Sequence, residues 1–286
     1  MSKTNIQKSK IKNHLIIAIL TILLGGASAL FSLGYRLGPT GLPTKTGSLI
    51  IQNLPEGARV FVDGKDMGVK NGGSYARRLL PGEHSVLVAK TAHWPWTKTV
   101  SIIEKEAVEL QPFTIPESVS GEFITSNDPR HDPVLSQINN TTAPTLKKNV
   151  SELLENESLA DWLQQNIPNL RVSKKGNVAL WLSGQEIQAA WIGTGLPKNT
   201  YFCPEKICGV ISVFKSASPI QNIDFFDDRD DVFLFSSREG LFAVELPGGD
   251  VQNFQPIYLG AQIRFIKGID VLYLTDSASN LMRLPL

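Results

Sequence analysis

The chain reads as mainly β. It begins with a transmembrane helix, continues into a small β-sandwich, and ends in a propeller-like β-repeat domain with one or two short helices before it. Three observations predict this. An apolar run from Leu15 to Leu33 follows a lysine-rich start. The stretch from Gly47 to Ile115 is almost all short alternating strands and turn dipeptides. From Leu170 onward, three segments of strand, polar turn and strand line up on one another.

The start carries Lys3, Lys8, Lys10 and Lys12, and no acidic residue precedes Glu56. As a helix the apolar run is about 28 Å long, enough for a bilayer core. The lysines would stay cytoplasmic and send the bulk of the chain outside. The expected location is therefore the cell membrane, single-pass, with a cytoplasmic N-terminus. A cleaved signal peptide is the alternative, because Ala27-Ser28-Ala29 fits a cleavage pattern. Apolar residues continue past that tripeptide to Leu33, which favours an uncleaved anchor. The expected division is a basic segment over 1–14, an anchor over 15–35 and a linker over 36–46. The sandwich follows over 47–116, a second linker over 117–144, short helices over 145–169 and the repeat domain over 170–286.

In the central stretch, Leu49, Ile51 and Leu54 begin a strand that stops at Pro55-Glu56-Gly57. Val60 and Val62 then alternate with Arg59, Phe61 and Asp63, the period of a half-buried strand. Asp63-Gly64 suits the positive φ angles of a type I′ hairpin turn. Pro81-Gly82 marks a second turn, and Ser85 to Val88 and Thr99 to Ile103 supply further strands.

Pro55, Glu56, Gly57 and Ala58, followed by Val60, Val62, Asp63, Gly64 and Gly68, resemble the PEGA domain. The run from Leu80 through Pro81, Gly82 and Glu83 to His84 matches that family's second turn, and Trp96 falls where the family often has an aromatic. One departure is the run Val69 to Gly73, where family members often carry Thr-Pro; it implies a looser loop. The resemblance implies an extracytoplasmic β module, often tethered to an envelope, without enzymatic activity of its own.

Asn177 to Ser183 with Glu186 to Ile192 make the first repeat. Asp231 to Ser237 with Gly240 to Leu246 make the second, and Asp270 to Asp276 with Asn280 to Leu286 the third. Three units are fewer than the roughly four to eight that close a propeller. An open partial propeller, a three-unit assembly capped by the helices, and subunits that complete one another all remain; the capped arrangement is preferred. Tyr201 to Cys203, Asp224-Phe225 and Asn253 to Tyr258 resemble the C-terminal part of membrane-anchored bacterial PEGA proteins.

A hydrophobic share of 42% beside 19% charged residues argues against wholesale disorder. A net charge of +1 gives no case for nucleic-acid binding. Cys203 and Cys208 read as a disulfide in an oxidising compartment, with a pair of free buried thiols as the alternative. Zinc would need ligands that no second Cys pair or nearby His supplies. Asp224, Asp227, Asp228, Asp230 and Asp231 cluster without EF-hand spacing and read as a solvated turn. No nucleophile elbow and no phosphate-binding glycine loop is present. No catalytic, cofactor or metal site is expected.

Trp94 and Trp96 are the candidates for stacking on a ligand, one of them competing for the core. The expected function is non-enzymatic: an envelope protein, integral to the membrane, that tethers to cell wall, surface layer or another envelope protein. An extracytoplasmic sensor or carbohydrate- or peptide-binding module is the alternative, and a hydrolase the third reading.

Overall fold

A computed structural model describes residues 3–145, 159–197, 201–203, 208–248 and 251–285. Within these, the chain divides into two compact units. The first holds the described residues up to Val86 together with Thr99–Pro112, and the second holds Leu87–Lys98 with the residues from Phe113 onward.

The first unit begins with helix α1, Lys3–Ser32. Gly34, at φ +88°, ends it, the left-handed turn that glycine makes without a Cβ penalty. The expected transmembrane helix is corrected here: among the described residues no helix is long and apolar enough to cross a membrane. Helix α1 ends at Ser32. Gly25, Gly26 and Ser28 dilute its second half. Two short strands, β1 (Tyr35–Leu37) and β2 (Pro43–Lys45), pair beyond the helix.

Strand β3 runs from Gly47 to Val62, straight through Pro55-Glu56-Gly57, where the sequence predicts a stop. Shifts in its register against β4 (Lys65–Leu79) absorb the interruption, one between Ile51 and Leu54 and the next between Glu56 and Arg59. Asn53 and Gly57 take the positive φ angles these irregularities require. Val69 to Gly73, expected as a loop, belongs to β4. Strands β5 (Gly82–Ala89) and β6 (Trp96–Ile102) extend the order to β4-β3-β5-β6, and β7 (Ala107–Leu110) adds in parallel to β3. Leu49, Ile51, Ala58, Val60 and Val62 line the buried face.

Asp63 and Gly64 connect β3 to β4 with φ of 51° and 70°, the values of a type I′ turn. Open space surrounds a Cβ built at Gly64, so strain alone opposes substitution there. Gly64→Val should destabilise by about 1 kcal/mol or more, because a β-branched residue resists positive φ. Urea unfolding of the full chain checks this, and an unchanged midpoint would show that the turn bears no such strain.

The second unit contains three four-stranded antiparallel sheets. The first has the order β12-β11-β10-β9, formed by Val210–Lys215, Glu186–Trp191, Val178–Ser183 and Arg171–Val172. The second has the order β13-β14-β15-β16, formed by Asn222–Phe225, Val232–Ser236, Gly240–Glu245 and Phe254–Leu259. The third has the order β17-β18-β19-β8, formed by Arg264–Lys267, Val271–Thr275, Leu281–Pro285 and, from far upstream, Glu122–Ile124. Each expected repeat thus supplies the middle hairpin of one sheet. The propeller-like reading is corrected all the same: no closed barrel or propeller is found among the described residues. Three sheets are too few to close such a ring.

Residues 117–144, read as a linker, yield β8 and helix α2, His131–Asn140. Ile138 of α2 packs with Ile124 and Leu281. Helix α3, Leu159–Asn166, covers one face of the first sheet through Trp162 and Leu163. The other face packs Val178, Leu180 and Leu182 against Phe233 and Phe235 of the second sheet. Strand β10 is therefore buried on both faces, which explains its unbroken apolar run. The first part of the helical stretch expected over 145–169 lies outside the described residues.

Candidate functional site

The motif residues of the central stretch hold turns. Asp63 Oδ2 lies 2.7 Å from His84 Nδ1, and its Oδ1 accepts from the Ser85 amide at 3.1 Å. The other ring nitrogen of His84 meets the Leu80 carbonyl oxygen at 2.8 Å. The Asp63-Gly64 turn is thereby tied to the turn at Leu80, Pro81 and Gly82. Ala58 is buried, Pro55 is half-buried, and Glu56 and Gly57 are exposed.

Trp94 is 37% exposed and Trp96 only 1%. Trp96 thus presents no stacking surface. It belongs to a buried polar cluster within the second unit, which the sequence reading missed. In β6, Trp96, Lys98, Val100 and Ile102 share the buried face. Lys98 Nζ sits 3.1 Å from Glu245 Oε1, with side-chain exposures of 2% and 3%. Trp96 Nε1 and Asn253 Nδ2 both donate to Glu245 Oε2, at 3.2 and 2.7 Å. The Lys98 ammonium also lies 4.3 Å from the centre of the Tyr201 ring. Burial pushes the Glu245 carboxyl above its ordinary value, and the Lys98 charge opposes that rise.

Two side-chain amides extend this cluster to the backbone. Asn253 accepts from the Thr97 amide at 2.9 Å and donates to its carbonyl at 2.8 Å. Gln255 accepts from the Ile115 amide at 2.8 Å and donates to the Pro95 carbonyl at 3.2 Å. Each amide takes the place of a strand neighbour, so the cluster is a structural device. Its sequence signal was a lysine at an apolar period-two position and a glutamate closing an apolar strand.

Cys203 and Cys208 form a disulfide. The residues between them lie outside the described residues. The acidic cluster is spent on cations and turns. Asp231 holds Arg229 through two contacts at 2.7 and 2.8 Å. Lys174 lies 2.6 Å from Asp228 and holds its carboxyl below the ordinary range. No group of side chains suited to a metal is present among the described residues.

Each unit carries one described concavity of note. In the second unit, a polar hollow of about 460 Å³ is lined by Asn139, Gln221, Arg264, Asp276 and Ser277 among others. Gln221 Oε1 is buried there without a hydrogen-bond partner among the described residues. In the first unit, a hollow of about 290 Å³ is lined by Arg36, Lys65, Arg77, Arg78 and His84, with Asp63 as its one carboxylate. The arginine pair at 77–78 is visible in the sequence, but its meeting with Arg36 depends on the fold.

Comparison with curated proteins gives no match. Among solved structures, the chain is similar to a DUF3823 family protein from Bacteroides ovatus at 10% identity, with a TM-score of 0.19 over 84% of this chain and 96% of that one. Residues 46–114 match the family model of the PEGA domain. The chain thus carries a PEGA domain, and the turns tied by Asp63 and His84 lie within it.

Proposed function

We propose that this is a non-enzymatic, extracytoplasmic β-rich protein that tethers to an envelope protein or a cell-wall polymer. The PEGA domain at residues 46–114 carries the reading. Its motif residues are spent on turns, so it serves as a rigid module for presenting surfaces. The Cys203–Cys208 disulfide supports an oxidising compartment. Full-chain protein is expected to co-sediment with purified cell wall, and its two cysteines to resist alkylation before reduction when taken from the native source. Protein that stays in the supernatant with wall, and binds no component of a membrane extract, would overturn tethering.

A second reading, carbohydrate or peptide binding, draws on the polar hollow of the second unit. Asn139, Gln221, Arg264 and Asp276 offer mixed donors and acceptors suited to hydroxyl-rich or amide ligands. Loss of wall binding in Arg264→Ala, with the melting temperature retained, would favour this reading.

A further inference from the structure

We propose that the basic hollow of the first unit binds the phosphate of an anionic lipid headgroup, docking the chain peripherally on a bilayer surface. Four permanent cations, Arg36, Lys65, Arg77 and Arg78, line it beside a single carboxylate, Asp63. That carboxylate is already engaged by His84 and the Ser85 amide. None of the four cations forms a salt bridge with a carboxylate among the described residues. Arg36 donates to the Phe31 and Tyr35 carbonyls, at 3.0 and 2.8 Å. Arg78 donates to the Ser32 carbonyl at 3.3 Å, and Arg77 contacts the Met67 sulfur. Lys65 has no hydrogen-bonding side-chain partner among the described residues. A guanidinium has five N–H donors, so most of this donor set is free, and planar guanidinium forks suit phosphate oxygens.

The surroundings choose the source of the phosphate. The end of α1 and the segment from there to β2 expose Phe31, Leu33, Leu37 and Leu42, each about three-fifths exposed or more. The Arg36 guanidinium lies 3.5 Å from the centre of the Phe31 ring. Apolar side chains beside uncompensated cations match the boundary between acyl chains and anionic headgroups. A site for a free soluble anion gains nothing from exposed leucines. The contact uses the foot of α1 and asks nothing of the helix's length. It also stands apart from wall tethering, because it lies within the first unit and needs no polymer.

Flotation of the full chain with vesicles tests this. Binding to phosphatidylcholine mixed with phosphatidylglycerol should exceed binding to phosphatidylcholine alone by about tenfold or more, and should weaken with salt. Lys65→Gln with Arg77→Gln, which removes no contact to α1, should cut that preference several-fold while leaving the circular dichroism and the melting temperature unchanged. Adding Arg36→Gln and Arg78→Gln should abolish it. Equal binding to the two vesicles, or a preference unchanged in the double variant, overturns the proposal. Inorganic phosphate that abolishes the preference at concentrations no higher than the lipid's would assign the hollow to a free anion, and would overturn the lipid source.

Discussion

Lys98→Met is expected to lower the unfolding free energy by about 3–5 kcal/mol at neutral pH. The two charges are buried to 2% and 3% exposure and lie 3.1 Å apart. Removing the ammonium leaves the Glu245 carboxylate buried, with the Trp96 and Asn253 N–H groups left to stabilise it. The pair itself adds less than this loss suggests, because burying both ions already carries a large desolvation cost. Lys98→Met combined with Glu245→Gln should therefore recover most of the deficit. The amide oxygen of that glutamine still accepts from Trp96 and Asn253, and no charge remains to be buried. Urea unfolding of the three variants and the parent decides this. A double variant as unstable as Lys98→Met would show that packing of the lysine stem matters and the charge does not.

The same pair gives a pH dependence of definite sign. Burial raises the folded Glu245 pKa above its ordinary value of 4.5. A raised folded pKa means that the folded state holds the proton more tightly than the unfolded chain. The resulting stability is fully present below 4.5 and is lost as pH rises through the folded value. Without Lys98 the opposing attraction is gone, so the folded value climbs further and the loss extends to higher pH. The deficit of Lys98→Met should thus be smallest in acid and largest at neutral pH. Midpoints collected from about pH 4 to pH 7 would show a deficit that grows with pH. A deficit independent of pH would mean that Glu245 is already neutral in the parent.

Local rules carried the reading of the strands and failed where long-range pairing decides. The turn at Asp63-Gly64 was legible because positive φ at both positions demands those residue types. The hairpins that begin at Val178, Val232 and Val271 were legible from apolar runs around polar turns. Strand β3 was misread at Pro55, since a break in local pattern looks the same whether the strand stops or shifts register against β4. Strand β8 was missed because its three residues become a strand only beside β19. Helix α2 was missed for a related reason: Ile138 is its one fully buried residue, so its periodicity is faint. The Lys98–Glu245 pair joins residues far apart in the chain, and nothing local announces which glutamate a buried lysine will meet. The basic hollow is hidden in the same way, its arginines coming from β1 and β4.

Trp181→Ala should cost about 3–5 kcal/mol, the usual range for emptying a fully buried aromatic site. Trp181 has no exposed surface and packs with Trp162, Leu163 and Ile167 on the face of the first sheet that α3 covers. Its indole N–H donates to Gln188 Oε1 at 3.0 Å. Trp181→Phe keeps most of the volume and loses that hydrogen bond, so it should cost well under half as much. The two variants should also differ in hydrogen exchange. A helix as short as α3, with 8 residues, has little stability of its own and is held by its packed face. In Trp181→Ala the amides of residues 159–166 should exchange faster, by more than the loss in global stability explains, while those of the third sheet follow the global value. Unchanged protection in α3 would mean that Leu163 and Ile167 alone hold the helix on the sheet, and that Trp181 fills space without anchoring it.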